Sequence, residues 1–210
     1  MERKDNYAIH AQQAKARFLT YDQQNLIDKL CLQSDSTFLY LNFLSWPYRI
    51  SRCTGDVEFF RNGTWQDGNS YEEVMTLLDL VCDSKENLWI TGRWKNMRDF
   101  GLMFHTSLLE TQKDPWADRF QTNPEGFESA CRALGGEKLS YGDIAYAIEL
   151  FDGLCICLQL WFGDEEFPPN LRILWDENAL MYLKYETMYF ARGLLLSRIR
   201  EEMERKGEEI

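Results

Sequence analysis

The residues of this chain best suited to chemistry are three consecutive carboxylates, Asp164, Glu165 and Glu166. They follow an apolar segment that ends at Gly163, and they precede Phe167 and two prolines. If the segment is extended, the first and third carboxylates project to one side and the second to the other. Two carboxylates on one side could bind a hard cation such as Ca²⁺ or Mg²⁺, or could act as acid and base if burial separates their pKa values. The same residues also suit a simple charged turn that the prolines stiffen.

A second candidate is the segment TGRWKNMRD, residues 91–99, which contains Arg93 and Trp94. A guanidinium group pairs with a carboxylate through two parallel hydrogen bonds, and an indole ring can stack on a flat ligand. If Arg93 meets a carboxylate of the acidic loop, it is either an internal ion pair that locks the loop or a clamp for an anionic ligand. Trp161, near the end of the apolar run before the loop, would add an aromatic wall.

Histidine occurs only at positions 10 and 105. His105 lies in the apolar context LMFHTSLL, which is typical of a structural histidine, although acid–base chemistry near neutral pH would use it first. The sequence contains no G-x-S-x-G elbow, Walker loop, G-x-G-x-x-G or H-E-x-x-H motif, and no C-x-x-C pair. We therefore name no catalytic residue and no metal ligand, and no residue pattern points to a cofactor.

Composition excludes some classes of partner. The chain has 210 residues, with 23 Lys and Arg against 34 Asp and Glu, so its net charge is −11. This charge repels a phosphate backbone, and no local basic face offsets it, so we exclude nucleic acid. The N-terminal sequence MERKDNYAIH is followed by no apolar segment, and the longest apolar run, residues 154–162, is too short to span a bilayer. We expect a cytoplasmic protein that does not bind membranes.

Helical periodicity is clearest at both ends of the chain. Residues 5–33 repeat apolar side chains at helical spacing, and Thr20 with Gln23 predicts a capping box inside this segment. Ser70 is a predicted N-cap for a helix that reaches about residue 82. Asn123 followed by proline predicts another helix start. A final apolar stripe beginning at Tyr185 predicts a C-terminal helix.

Strands form two groups. Residues 37–61 contain three short aromatic or alternating segments, and residues 144–175 contain three apolar segments, the first two joined by Asp152-Gly153. An Asp-Gly pair between such segments predicts a two-residue hairpin. We predict an α+β fold, with an antiparallel sheet built from these two three-stranded meanders and helices packed on it.

We expect a single domain, residues 1–210. Its parts are a helical segment at 5–33, the first meander with its helix at 36–83, an irregular aromatic region at 84–122, and a helix, the second meander and the C-terminal helix at 123–205.

Four motifs together resemble a known family. They are TGRW (91–94), LGGEKLSYGDIAY (134–146), LWFGDEEFPPNLRILWD (160–176) and YLKYE (182–186). Their order and spacing are similar to the bacterial and archaeal family called domain of unknown function 3786, over about residues 36–198. The resemblance implies occurrence in anaerobes but no established activity. Some members are fused to a cysteine-rich iron–sulfur segment, whereas the N-terminal region of this chain has only Cys31.

These observations lead to three functional hypotheses. The first is a cytoplasmic module of anaerobic metabolism that binds a small anionic or aromatic molecule or a partner protein. Its predicted ligand-binding residues are Arg93, Trp94, His105, Trp161, Asp164, Glu165 and Glu166, gathered around one hollow. The second is a hydrolase- or lyase-type enzyme that uses the loop carboxylates with Arg93 and His105, with or without a metal ion. The third is an interaction protein without a pocket.

Overall fold

The structure is a computed structural model, and it describes residues 6–68, 70–100 and 115–207. The prediction for His105 lies outside the described residues. The helices are α1 (Asn6–Phe18), α2 (Gln23–Leu30), α3 (Tyr71–Asp83), α4 (Pro115–Thr122), α5 (Pro124–Ala133), α6 (Ala179–Tyr182) and α7 (Tyr185–Gly207). A 3-10 turn spans Met97–Phe100.

The strands are β1 (Gln33–Ser34), β2 (Phe38–Phe43), β3 (Trp46–Ser51), β4 (Val57–Arg61), β5 (Thr64–Asp67), β6 (Trp94–Asn96), β7 (Glu137–Leu139), β8 (Ile144–Phe151), β9 (Leu154–Trp161) and β10 (Asn170–Asp176). In the described residues they form two five-stranded antiparallel sheets, with orders β1-β2-β3-β4-β5 and β6-β10-β9-β8-β7. The predicted α+β class is therefore confirmed. Each predicted meander is the centre of its own sheet, which short edge strands extend.

Contacts between residues divide the described chain into two units. One comprises the described residues of Met1–Trp89 with Leu180–Leu194, and the other comprises those of Ile90–Ala179 with Leu195–Ile210. The first unit contains the first sheet and the second unit contains the second sheet. The expectation of a single domain stays a prediction.

In the first unit, one face of the sheet is buried and the other carries a cation–π cluster. Strand alternation places Leu39 and Ile50 on the buried face, where neither side chain is exposed. Helix α3 contacts β4, and α1 and α2 contact α3. On the other face, the guanidinium carbon of Arg49 lies 4.0 Å from the ring centroid of Phe38 and 4.4 Å from that of Trp65.

In the second unit, α4 packs against β9 and β10, and α5 packs against β8. Apolar side chains from alternate positions of the strands form the core, and Ile148, Ile156 and Trp175 are completely buried. Strand β10 lies between β6 and β9. The acidic loop connects β9 to β10, so this sheet positions the candidate site.

Local signals in the sequence explain most of the turns and helix starts. Asp152 and Gly153 both have positive φ, as a two-residue hairpin requires, and the predicted hairpin joins β8 to β9. Ser70 accepts a hydrogen bond from the backbone N–H of Glu73, and Asn123 accepts one from that of Gly126, so both predicted N-caps are confirmed.

Two expectations need correction. The predicted capping box at Thr20 is wrong, because Asp22 is the N-cap of α2 and accepts hydrogen bonds from the backbone N–H groups of Gln24 and Asn25. The region 84–122, expected to be irregular, contains β6 and α4 in its described part. Both of these elements are short, and their sequences have too few apolar repeats to reveal them.

Charged side chains of α1, of α3 and of Lys184, the residue before α7, meet around Asp79, which is 4% exposed. Its carboxylate accepts hydrogen bonds from Arg17 at 2.7 Å, Lys184 at 3.1 Å and Thr187 at 2.6 Å. The same two cations lie 2.7 and 2.6 Å from the carboxylate of Asp83. The two positive and two negative charges balance, so no buried charge is left without a partner. The ion pairs and the Thr187 hydrogen bond link α1 and the start of α7 to α3.

Asp83 makes this network sensitive to acid. Burial opposes ionisation of Asp83, but hydrogen bonds from Lys184 and Tyr21 and the charge of Arg17 outweigh it, so the pKa of Asp83 is held below the ordinary value of an aspartate. The ionised carboxylate therefore stabilises the fold at any pH above the ordinary pKa of an aspartate. This contribution is lost as the pH falls through the lowered pKa of Asp83.

We predict that the free energy of unfolding in urea falls more steeply in the wild type than in Asp83→Asn as the pH is lowered from about 5 to about 2. At neutral pH the variant should be the less stable of the two, because both cations lose one of their carboxylate partners. The exposed Asp28→Asn is the matched control and should follow the wild type. An equal acid slope in the wild type and Asp83→Asn would contradict the assignment.

Among the described residues, no helix combines the length and apolar character needed to cross a membrane.

Candidate functional site

The acidic loop is folded on itself through its first carboxylate. One carboxylate oxygen of Asp164 accepts the backbone N–H groups of Glu166 and Phe167, both at 2.8 Å. The backbone N–H of Asp164 donates to the carbonyl of Phe167 at 2.9 Å. The amides of Phe167 and Glu166 hold the pKa of the Asp164 carboxyl below its ordinary value, so this group is ionised at neutral pH. Asp164 therefore closes the turn.

Two side chains from outside the loop fix its first residues. The backbone N–H of Gly163 donates to the side-chain oxygen of Gln121 on α4. The backbone N–H of Phe162 donates to a carboxylate oxygen of Asp143 at 2.7 Å, and the N–H of Asp143 donates to the carbonyl of Leu160 at 3.0 Å. The loop and the turn before β8 are therefore held together.

Close backbone packing makes the loop compact. A Cβ atom on Gly163 would lie 2.6 Å from the nitrogen of Pro169 and 2.9 Å from the carbonyl oxygen of Phe167. These neighbours are backbone atoms and cannot rotate away, so position 163 requires glycine. The two prolines have fixed φ angles and reduce the freedom of the loop further.

A depression of about 540 Å³ lies beside the loop and is lined by Gln121 and residues 163–169. Glu165 and Glu166 are exposed there, and neither forms an ion pair with any residue that the structure describes. Phe167 is 67% exposed, and Trp161 and Phe162 are each 43% exposed. The loop thus presents two unpaired carboxylates close to exposed aromatic rings.

Arg93 and Trp94 lie at the opposite end of β10 from the loop. Trp94 is paired with Asp176 at one end of that strand, and Trp161 is paired with Asn170 at the other. The six residue steps between them correspond to about 20 Å at about 3.3 Å per residue. The prediction that Arg93 and Trp94 share a hollow with the acidic loop is therefore wrong, because β10 runs the length of the sheet between them.

The guanidinium of Arg93 is used in a surface ion pair. It lies 2.5 Å from a carboxylate oxygen of Glu177, and Lys95 lies 2.8 Å from the other oxygen of that carboxylate. Lys95, and then Arg93, lower the pKa of Glu177. The side chain of Arg93 is 74% exposed, so the pair is weak and does not constitute a buried clamp.

A buried aspartate that sequence reasoning missed holds this end of the sheet. Asp176 is 1% exposed, and its carboxylate accepts hydrogen bonds from the N–H and hydroxyl of Thr91, the N–H of Gly92 at 2.7 Å and the N–H of Asn178 at 2.9 Å. These donors replace water around the charge. The RILWD motif ends at Asp176, but nothing in the sequence indicates its partners about 85 positions earlier.

The sequence profile of the family described as a domain of unknown function, DUF3786, matches residues 22–198. The chain belongs to the DUF3786 family. The match confirms the resemblance seen in the four motifs. No curated protein and no solved structure matches the chain.

The DUF3786 motifs of this chain supply the residues that shape its loops. The segment 160–176 contains Gly163, Asp164 and Asp176, and the segment 91–94 contains the amides that Asp176 binds. The segment 134–146 contains Asp143, which accepts the Phe162 amide. Among the described residues, no three His, Cys, Asp or Glu side chains converge as a metal site.

We predict that Asp176→Ala lowers the free energy of unfolding by about 2–4 kcal/mol, because several backbone and hydroxyl donors lose a buried acceptor. Urea unfolding monitored by tryptophan fluorescence measures this change. Glu177→Gln, at the neighbouring exposed ion pair, should cost less than about 1 kcal/mol. A loss below about 1 kcal/mol in Asp176→Ala would show that the Asp176 hydrogen bonds contribute little.

A second prediction concerns the shape of the loop. Gly163→Ala should open the Asp164 turn, because the new Cβ collides with backbone atoms of residues 167 and 169. Hydrogen exchange measured by NMR should then be faster at the amides of Glu166 and Phe167. The matched variant is Gly193→Ala in α7, where a Cβ meets nothing within 4 Å, and it should leave both amides unchanged. Unaltered exchange in Gly163→Ala would contradict a rigid turn.

Proposed function

We propose that this DUF3786 chain is a non-enzymatic binding module whose recognition element is the loop between β9 and β10 and whose ligand carries positive charge. One observation carries the proposal: Glu165 and Glu166 are exposed and unpaired within the described chain, on a loop that its own hydrogen bonds hold in shape. A role in cytoplasmic anaerobic metabolism is part of the proposal and rests on the family resemblance.

The sign of the ligand charge follows from the position of the cations. The sequence predicts a small anionic or aromatic ligand or a partner protein, and the anionic choice depends on Arg93 lying beside the loop. Arg93 is paired with Glu177 at the far end of β10, and no Lys or Arg lines the depression beside the loop. The potential at the loop is therefore negative, which favours a cationic ligand and increases its rate of association.

The enzymatic alternative has less support from the described residues. A general acid among carboxylates needs a raised pKa, which burial normally provides. The pKa of Asp164 is lowered instead, and Glu165 and Glu166 are exposed. The carboxylates of the loop therefore lack the environment that acid–base catalysis uses.

The proposal predicts that poly-L-lysine binds the wild-type chain and that Glu165→Gln/Glu166→Gln weakens binding by about three- to tenfold, as expected for the loss of two exposed charge pairs. Isothermal titration at about 20 mM and about 200 mM salt measures this, and the difference should shrink at high salt.

The overall charge of −11 attracts any polycation, so the control must remove the same charge elsewhere. Glu86→Gln/Glu137→Gln removes two exposed carboxylates outside the loop and should bind nearly as well as the wild type. Equal weakening in both double variants, or no binding by the wild type, would refute a recognition role for the loop.

A further inference from the structure

The depression beside the loop has one wall. Seven consecutive residues, 163–169, and Gln121 provide its lining, and residues 164–168 are all exposed. Sites for small molecules enclose most of the ligand surface between walls from several segments. A small cation held here would stay largely in water, whereas a protein partner brings its own surface to cover the depression.

Exposed aromatic rings lie within this segment and next to it in the fold. Tyr141, 49% exposed, adjoins the turn that packs on Trp161, where a Cβ on Gly142 would lie 3.3 Å from the indole ring. Phe162 and Phe167 carry two more exposed rings within the loop. Protein interfaces are enriched in aromatic residues, and a few of them usually contribute most of the binding energy.

The combination of rings and carboxylates specifies the chemistry of the partner. A lysine or arginine side chain can lay its apolar stem on an exposed ring while its charged end reaches a carboxylate. An apolar side chain beside it would cover further ring surface. Because the loop is already held by Asp164, Gln121 and Asp143, little conformational entropy is lost when the partner binds.

We infer that the loop between β9 and β10 docks a partner protein through an exposed segment in which lysine or arginine residues alternate with apolar residues. This inference rests on the proposed function, and it adds that the ligand is a polypeptide whose apolar side chains are recognised together with its charge.

Titration with three probes tests the inference. The first is a blocked nonapeptide with lysines and phenylalanines in a glycine background, the second has the same lysines with glycine in place of phenylalanine, and the third is spermidine. The wild type should bind the lysine–phenylalanine peptide at least about tenfold more tightly than either other probe, as expected for one aromatic contact. Phe167→Ser and Trp161→Ser should each reduce this preference to less than about threefold.

The variants have matched controls. Phe60→Ser changes an exposed ring in the first sheet and should keep the full preference. Phe167 is 67% exposed and Trp161 is 43% exposed, and an unchanged urea midpoint in each variant checks that the fold is retained.

The outcomes separate the two proposals. If both peptides bind equally well and the loop glutamates matter, the loop recognises charge alone and only the inference fails. If spermidine binds as tightly as the lysine–phenylalanine peptide, the ligand is a small cation and the inference also fails. If no probe distinguishes Glu165→Gln/Glu166→Gln from Glu86→Gln/Glu137→Gln, both the inference and the proposed function fail. A preference that survives Phe167→Ser and Trp161→Ser places recognition elsewhere.

Discussion

Aspartate side chains at both ends of β10 accept hydrogen bonds from backbone amides that have no partner in the sheet. The geometry of the second sheet depends on these hydrogen bonds. Amide groups removed from water need an acceptor, and a carboxylate can accept several at once through strong charge-assisted bonds. Asp176 does this in the core and Asp164 does it at the surface. Each aspartate folds a segment that has no regular hydrogen bonding of its own, so the acidic loop has a shape before any ligand arrives.

The register of β10 then decides which charges meet. A strand carries the chain from one end of the sheet to the other, so the residues that precede β10 lie far from those that follow it. Glu177, just after β10, meets Arg93 and Lys95. Glu165 and Glu166, before β10, meet neither cation. Among the described residues, the carboxylate that follows β10 is therefore paired with cations, whereas Glu165 and Glu166, which precede β10, form no ion pair.

The sequence predicts what depends on neighbouring residues and misses what depends on distant ones. The Asp152-Gly153 hairpin and the Ser70 N-cap are encoded within a few positions, and both are found. The two prolines also predict a turn in the acidic segment, and that segment connects β9 to β10. The position of Arg93 depends on β6, a three-residue strand whose pairing with β10 has no local signal. The role of Asp176 depends on amides that only the folded sheet brings near, so no spacing rule reveals it.

The physical state of the loop favours recognition over catalysis. Acid–base chemistry benefits when burial makes a carboxylate reluctant to ionise, and it then requires groups that converge on one reacting atom. Here the ionised form of Asp164 is stabilised by backbone amides, and its neighbours point their charge into water. A rigid turn with exposed rings and unpaired charge loses little entropy on binding and attracts an oppositely charged surface from a distance. In the proposed function, the hydrogen bonds that stabilise the ionised form of Asp164 also hold Glu165, Glu166 and Phe167 in the shape that a partner would meet.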